Sequence, residues 1–243
     1  MAIFVLTNAK VWLDAYDISG KLNELGLDYA AELPDSTVFS SGTTRSRTPG
    51  LKHVKATLKG FDDFADDNID EQAHALLGVQ NSVMSCSAEG GDEGETGFFF
   101  RAATGKLSRG GAIGDMFPFD AEAEGSDGMG LLRGTIMHNA TRTTSASGTA
   151  RQLGAVSATQ KLYAALHVLS ASAGDTLDVI VESDNAEGFP STTTRITFTQ
   201  VAAIGAQFAT PVAGAITDDW WRIGWTVGGA SISFQFVCIV AIF

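Results

Sequence analysis

The chain has 243 residues, of which 44% are hydrophobic and 18% charged. That is enough apolar material for a packed core and excludes wholesale disorder. Its 16 Lys and Arg stand against 28 Asp and Glu, for a formal net charge of −12. Tight phosphate binding needs clustered basic residues, so a nucleic-acid-binding role is disfavoured.

The N-terminal stretch has no basic run before its apolar residues and no small-residue cleavage site. It reads as a strand, Ile3–Leu6, and the expected product is a soluble protein made in a cytoplasm. Val11–Ile18 follows as a second strand ending at Ser19-Gly20, and Leu22–Ala30 alternates well enough for a third. Glu32–Gly50 is polar and aperiodic, with Pro34, Gly42, Pro49 and Gly50, so it is expected to be a loop. Loops of this length in compact domains are usually functional or disordered.

Leu51–Phe61 alternates apolar and polar residues, as a strand with one wet face does. Next comes the one predicted helix, residues 68–78. Asn68 and Glu71 form a capping-box pattern, and Asp66, Asp67 and Asp70 suit the positive end of the helix dipole. Ile69, Ala73, Leu76 and Leu77 give an apolar face, and Gly78 supplies the stop.

Further strands are expected at Val79–Ser85, Phe98–Ala102, Gly111–Ala121 and Met129–Asn139. Ala140–Ala150 is small and polar with no hydrophobic anchor, which makes it the expected linker or excursion loop, with a domain boundary near it. The domain organisation expected is therefore 1–150 and 151–243. In the second part Lys161–Leu169, Asp175–Ser183, Thr194–Val201, Asp219–Val227 and Ala230–Phe243 all carry strand patterning. Gly228-Gly229 reads as a hairpin turn between the last two. The fold class expected is mainly β: a β-sandwich or partly closed barrel with one flanking helix, plus a second, smaller β-sandwich-like domain.

A search for chemistry returns little. The sequence has no GxSxG, HExxH or P-loop pattern, and no metal-ligand spacing. His53, His138 and His167 fall singly on strands and His74 on the helix, where satisfied structural histidines are expected. The acidic run Asp62–Glu71 lacks the central Gly of a calcium loop, so helix-start carboxylates explain it better. Trp220, Trp221 and Trp225 could form a sugar platform, yet strand alternation puts at least one set of them in the core. Cys86 and Cys238 are too few for a disulfide framework, and Cys238 sits in an apolar run as a buried free thiol would. No catalytic group, cofactor or metal is expected, and no membrane span.

The loop is the feature that asks for a partner. Arg45 and Arg47, flanked by Thr and Ser, can make bidentate contacts to carboxylates, and Val38-Phe39 can anchor in a neighbour's pocket. Val38, Phe39, Arg45 and Arg47 are thus the candidate inter-subunit contact residues.

Several short motifs carry a family likeness. Asp17-Ile18-Ser19-Gly20-Lys21-Leu22 is followed by Val38-Phe39-x-Ser-Gly-x-x-Arg, then by Gly50-Leu51-Lys52 and a strand ending Lys59-Gly60-Phe61 before an acidic helix. That order, with the closing Asp219-Trp220-Trp221-Arg222 and Gly228-Gly229, resembles the tail tube (major tail) proteins of long-tailed bacteriophages. The resemblance implies a structural virion subunit that assembles with itself, usually into hexameric rings, and with other tail proteins. Stacked rings would form a channel through which DNA passes without specific binding. Residues after Ala150 would be a decorating domain or a second tube-like domain. Other readings of the residues are a head-decoration or tail-tip protein and a β-sandwich glycan-binding module.

Overall fold

The computed structural model describes residues 6–38, 43–64 and 69–243. Its elements in chain order begin with β1 (Lys10–Leu13), β2 (Tyr16–Asp17), β3 (Leu22–Ala31), β4 (Lys52–Phe61) and α1 (Ile69–Ala75). They continue with β5 (Ser82–Ser87), β6 (Thr96–Arg109), β7 (Pro118–Gly125), β8 (Leu132–Arg142), β9 (Ala146–Ser147) and β10 (Arg151–Gln152). The last are β11 (Lys161–Ala171), β12 (Thr176–Asp184), β13 (Thr193–Thr197), β14 (Gly205–Phe208), β15 (Val212–Ala213), β16 (Trp220–Gly228) and β17 (Phe234–Ile242). The chain is mainly β, with sheets that pack as sandwich-like layers and do not close into a barrel.

Two compact units share the chain. One comprises the chain up to Gly20, Ser82–Phe100 and Leu132–Phe243; the other comprises Lys21–Asn81 and Arg101–Leu131. The division does not fall at Ala150. β8, before that point, pairs along most of its length with β17, after it, so the two segments are hydrogen-bonded neighbours. Nor is Ala140–Ala150 a linker. Gly148 N–H donates to Ile223 O, the Ser145 hydroxyl accepts from Val227 N–H, and Ala146 pairs with Trp225. Small polar residues suit that strap because they can lie flat on a sheet while their backbone supplies the hydrogen bonds.

In the first unit, β11, β17 and β8 lie side by side in one sheet, and β10, β16, β12 and β13 form the other. Leu162, Leu166, Val168, Phe234 and Phe236 from one sheet meet Leu177, Val179, Val181, Trp221 and Ile223 from the other in a continuous core. Gly228-Gly229 is therefore not a hairpin turn: β16 pairs with β12, and β17 pairs with β11 and β8. The chain crosses from sheet to sheet there, as it also does between β11 and β12. Asp175 secures the crossing, its carboxylate accepting from Ala230 N–H at 3.0 Å, beside Gly229 at φ +140°. A Cβ on Gly229 would collide with that carboxylate. β17 is also buried on both faces from Phe236 to Ala241, which accounts for its unbroken apolar run.

The second unit holds the antiparallel ladder β3–β4–β7–β6, the last strand contributing from Arg101 onward. Alternation works as expected here. Val54, Ala56, Leu58, Phe119, Ala121 and Ala123 are buried, while Lys55, Thr57, Lys59, Asp120 and Glu122 point to the other face. α1 is shorter than the predicted 68–78: it runs Ile69–Ala75 and buries Ile69, Gln72 and Ala73. Asn68, the expected cap, lies outside the described residues, as do Asp66 and Asp67. Gly78 does adopt the left-handed conformation of a helix stop, at φ +78°.

Three other expectations change. Val11–Ile18 is a tight hairpin turning at Asp14 (φ +48°). Residues 1–5 of the predicted first strand are outside the described residues, and Leu6 is in no strand. Gly111–Ala121 is strand only from Pro118, since residues 111–117 form an exposed turn.

Candidate assembly surface

The segment expected to be a structureless loop continues the β3–β4 hairpin as an irregular two-stranded arm. Beyond the last ladder pair, Ala31–Lys52, Glu32 and Gly50 donate backbone hydrogen bonds to Leu51 and Glu32 respectively. Further out, Thr48 N–H donates to Pro34 O, and Ser36 N–H to Ser46 O at 2.9 Å. Thr37 then closes the described part. Its N–H donates to Asp35 Oδ1 and its hydroxyl accepts from Ser46 N–H at 3.0 Å.

Every described residue from Glu32 to Leu51 is exposed. The arm thus has backbone order with no buried side of its own. Two strands by themselves are only marginally stable in water, because ordering them costs entropy that little burial offsets. Leu33, Val38 and Leu51 nevertheless present apolar side chains to solvent, Leu51 at 77% exposure.

The structure places three of the four predicted contact residues on this arm. Val38 is 60% exposed. Arg47 pairs through its backbone with Asp35, while the Arg45 guanidinium lies at 4.0 Å from the Asp35 carboxylate and is largely exposed. The hydroxyl and the backbone N–H of Thr37 hold the Asp35 carboxyl below its ordinary range. Phe39 lies outside the described residues.

From the arm, the ladder carries an ionic mosaic along its outward face. Lys55 and Lys106 both reach Glu122, at 2.6 and 2.9 Å, and Lys59 reaches Glu24 at 2.6 Å. Flanked by two ammonium groups, the Glu122 carboxyl titrates at about 2. By register, Glu24, Asp28, Asp120, Glu122 and Glu124 share that face with Lys55, Lys59 and Lys106, five carboxylates against three amines. β3 has β4 as its one strand partner among the described residues, so it is an edge strand.

At the other end of the same ladder lies a feature the sequence reading missed. The β6–β7 turn, residues 110–117, exposes Ile113 fully, Met116 at 66% and Phe117 at 41%. Phe64 packs beside Phe117 with the rings tilted and their centroids 5.7 Å apart. These apolar residues had counted as strand pattern. The glycines at 110, 111 and 114 were the signal for a turn, and Gly110 and Gly114 have positive φ.

Of the remaining candidates, Trp221, Trp225, His138 and His167 lie in the core. Trp221 and Trp225 are buried, their indole N–H groups donating to Gly154 O at 2.8 Å and Thr144 O at 2.9 Å. His167 is fully buried. It donates from Nδ1 to Asp14 O and accepts from the Ser85 hydroxyl at Nε2, each at 2.7 Å, with Ser85 itself 1% exposed. A hydroxyl–imidazole pair sealed in this way offers no approach to a substrate. Burial lowers the His167 pKa to about 4.

Buried His138 packs on Trp225 and Phe236 and has Glu93 at 2.8 Å from Nδ1; burial brings it to about 4 also. His53 and His74 are exposed on β4 and α1. Asp62 and Asp70, from the acidic run, clamp the Arg109 guanidinium at 2.6 and 2.8 Å. No group of three or more potential metal ligands occurs among the described residues, and no helix among them is long and apolar enough to cross a membrane.

In sequence, no family model and no curated protein matches the chain. Solved structures offer distant likenesses. A protein of the native gene transfer agent virion is 17% identical over 49% of this chain and 91% of its own, with a TM-score of 0.41. The SPP1 Dit protein, described as a paradigm of the hub adsorption apparatus in phages infecting Gram-positive bacteria, is 10% identical over 98% and 100%, with a TM-score of 0.38. A chain of the sheath–tube complex of an extracellular contractile injection system is 12% identical over 55% and 92%, with a TM-score of 0.42.

Proposed function

We propose that the chain is a non-catalytic structural subunit of a phage tail tube, which assembles with itself into stacked rings around a channel for DNA. The observation that carries this reading is the arm. An ordered two-stranded extension with exposed apolar and guanidinium side chains and no buried side is what a subunit extends to grip a neighbour. The burial missing in the monomer would come from the assembled state.

Two further features support it. The open edge of β3 can continue the ladder into another copy, which would cover its unpaired backbone groups. The ionic face of that ladder has a small excess of carboxylates, most of them held by lysines. A channel wall of that kind repels a polyanion weakly and offers it no basic cluster to bind. The sealed Ser85–His167 pair and the buried tryptophans favour the structural reading over an enzyme or a glycan-binding module.

The test is negative-stain electron microscopy of the purified protein over a concentration series, alongside a variant lacking Ser36–Arg47. Hollow stacked rings or tubes from the intact chain, and folded monomers from the variant, are expected. Normal tubes from the deletion variant would sink the role given to the arm. Closed oligomers without tubes would move the chain to a head-decoration or tail-tip role.

A further inference from the structure

Among the described residues other than glycine, positive φ occurs at Asp14, Asn81 and Phe189. Asp and Asn tolerate that conformation, because their short polar side chains hydrogen-bond locally, whereas a bulky aromatic residue rarely adopts it. Phe189, at φ +50°, lies in the hairpin loop between β12 and β13, residues 185–192. It also precedes Pro190, whose ring pushes the residue before it toward extended backbone. Two local preferences are overridden at this single residue.

What overrides them is the outward face of the loop's own sheet. Within residues 185–192 Phe189 alone is buried, and the Arg222 guanidinium of β16 lies over its ring, 4.2 Å from the centroid. Glu182 of β12 holds that guanidinium at 2.7 Å. Arg222 also reaches the Thr192 hydroxyl at 3.5 Å, which in turn donates to the Phe189 carbonyl at 3.2 Å. One arginine thus grips the ring directly and the backbone through a hydroxyl. The buried Asp184 carboxylate fixes the base of the loop, accepting from Ala186 N–H at 3.1 Å and from Ser191 N–H at 2.6 Å. Between those fixed points, Phe189 N–H donates to Ala186 O at 3.1 Å.

We infer that residues 187–190 form a strained latch. Closed, it keeps Phe189 beneath Arg222. Open, Phe189 takes the extended backbone that Pro190 favours, with Gly188 as the pivot and Asp184 keeping both ends of the loop in place. Opening uncovers one large side chain and leaves the strands paired, and the relief of backbone strain offsets part of the lost packing. The loop therefore opens far more readily than the sheets come apart. An open latch presents a phenyl ring beside a guanidinium, side chains of the kinds enriched at protein interfaces, and the closed form keeps that ring covered. The inference is independent of the self-assembly reading.

Amide hydrogen exchange and two sets of variants test it. In the intact chain the Phe189 amide should exchange at least a hundredfold faster than the ladder amides of β12 and β16, at a rate that low urea leaves unchanged. Exchange as slow as that of the ladder would show that the loop opens only when the sheet does, and would overturn the latch. Phe189→Gly and Phe189→Ala both remove the ring, so their difference isolates the backbone. A left-handed position favours glycine, whereas an unstrained loop favours alanine, which loses less entropy on folding. Phe189→Gly should therefore melt above Phe189→Ala, and the reverse order or equal values would show that residue 189 stores no strain. Arg222→Gln should speed exchange at the Phe189 amide at least tenfold while the ladder amides stay within about threefold of their original rates. An unchanged Phe189 amide would show that Arg222 does not hold the latch closed.

Discussion

His167 and Ser85, 82 positions apart in sequence, share a 2.7 Å hydrogen bond with no solvent contact, and the other imidazole nitrogen is committed to the Asp14 carbonyl. This arrangement fixes one neutral tautomer, Nδ1–H toward Asp14 and a bare Nε2 toward the hydroxyl. A proton added to Nε2 would face a hydroxyl that must turn away, in a site where charge is poorly solvated. The folded-state pKa of about 4 lies below the ordinary value of 6.5.

That depression makes the fold sensitive to acid. The unfolded chain takes up a proton on this histidine below about pH 6.5, while the native chain does not until about pH 4. Stability is therefore full above pH 6.5, falls as the pH drops toward 4, and levels off below it as far as this group decides. The loss is on the order of 3 kcal/mol for His167, and buried His138 adds a contribution of the same sign. Urea midpoints at pH 7, 5.5 and 4.5 should fall in that order. A flat profile across the range would show that neither histidine is held neutral. Ser85→Ala, which leaves Nε2 without a donor, should cost about 1–3 kcal/mol at pH 7.

The tryptophans divide by strand face. Trp221 and Trp225 alternate inward on β16 and are buried, while Trp220 is half-buried on the opposite face. Trp221→Ala or Trp225→Ala should each cost about 3–5 kcal/mol, from lost packing and an opened cavity. Trp220→Ala should cost about 1 kcal/mol, the ordinary size for a substitution outside the core. Equal losses at all three sites, read from chemical denaturation, would contradict the burial pattern.

What could be read in the sequence was mostly periodicity. The alternation of Lys52–Phe61 and of Trp220–Gly228 gave strand and face together, because each has one wet side. What could not be read was partnership. Gly228-Gly229 with strands on either side fits a hairpin and a crossing between sheets equally well. The decision lies with Leu162, Leu166 and the β8 edge, far away in sequence, which take β17 from β16. The polar, aperiodic character of residues 32–50 was legible, but the backbone pairing of the arm was not, because no side-chain period accompanies it. The Gly110–Phe117 turn was hidden by its own apolar residues, which a strand template counts as core.

Cys86 and Cys238 are both buried. Burial raises the Cys86 pKa to about 12 and moves Cys238 in the same direction. A thiol reagent attacks the thiolate, so neither should react on the timescale of minutes at pH 8 in the native protein. In denaturant both should titrate at once. Rapid modification of either in the folded chain would show that the sandwich opens locally.

In the second unit, the Arg109 guanidinium ties the start of α1 to the end of β6. It contacts Asp62 at 2.6 Å and Asp70 at 2.8 Å, and donates as well to the Asp70 carbonyl at 2.9 Å. The Asp62 side chain is 1% exposed, and burial raises its pKa against the opposing pull of Arg109. Removing the arginine would leave a buried carboxylate with no counter-charge, which is costlier than losing the pair as a whole. Arg109→Ala should therefore destabilise the protein by about 2–4 kcal/mol at pH 7. The loss should shrink as the pH falls and Asp62 takes up a proton. Arg109→Ala/Asp62→Asn should recover part of it, because the stranded charge is gone. Hydrogen exchange would locate the effect, with protection lost first at Gln72, Ala73 and Leu76. If the double variant is no more stable than the single one, Asp62 is not the group that Arg109 neutralises, and the helix is held by the carbonyl contact to Asp70.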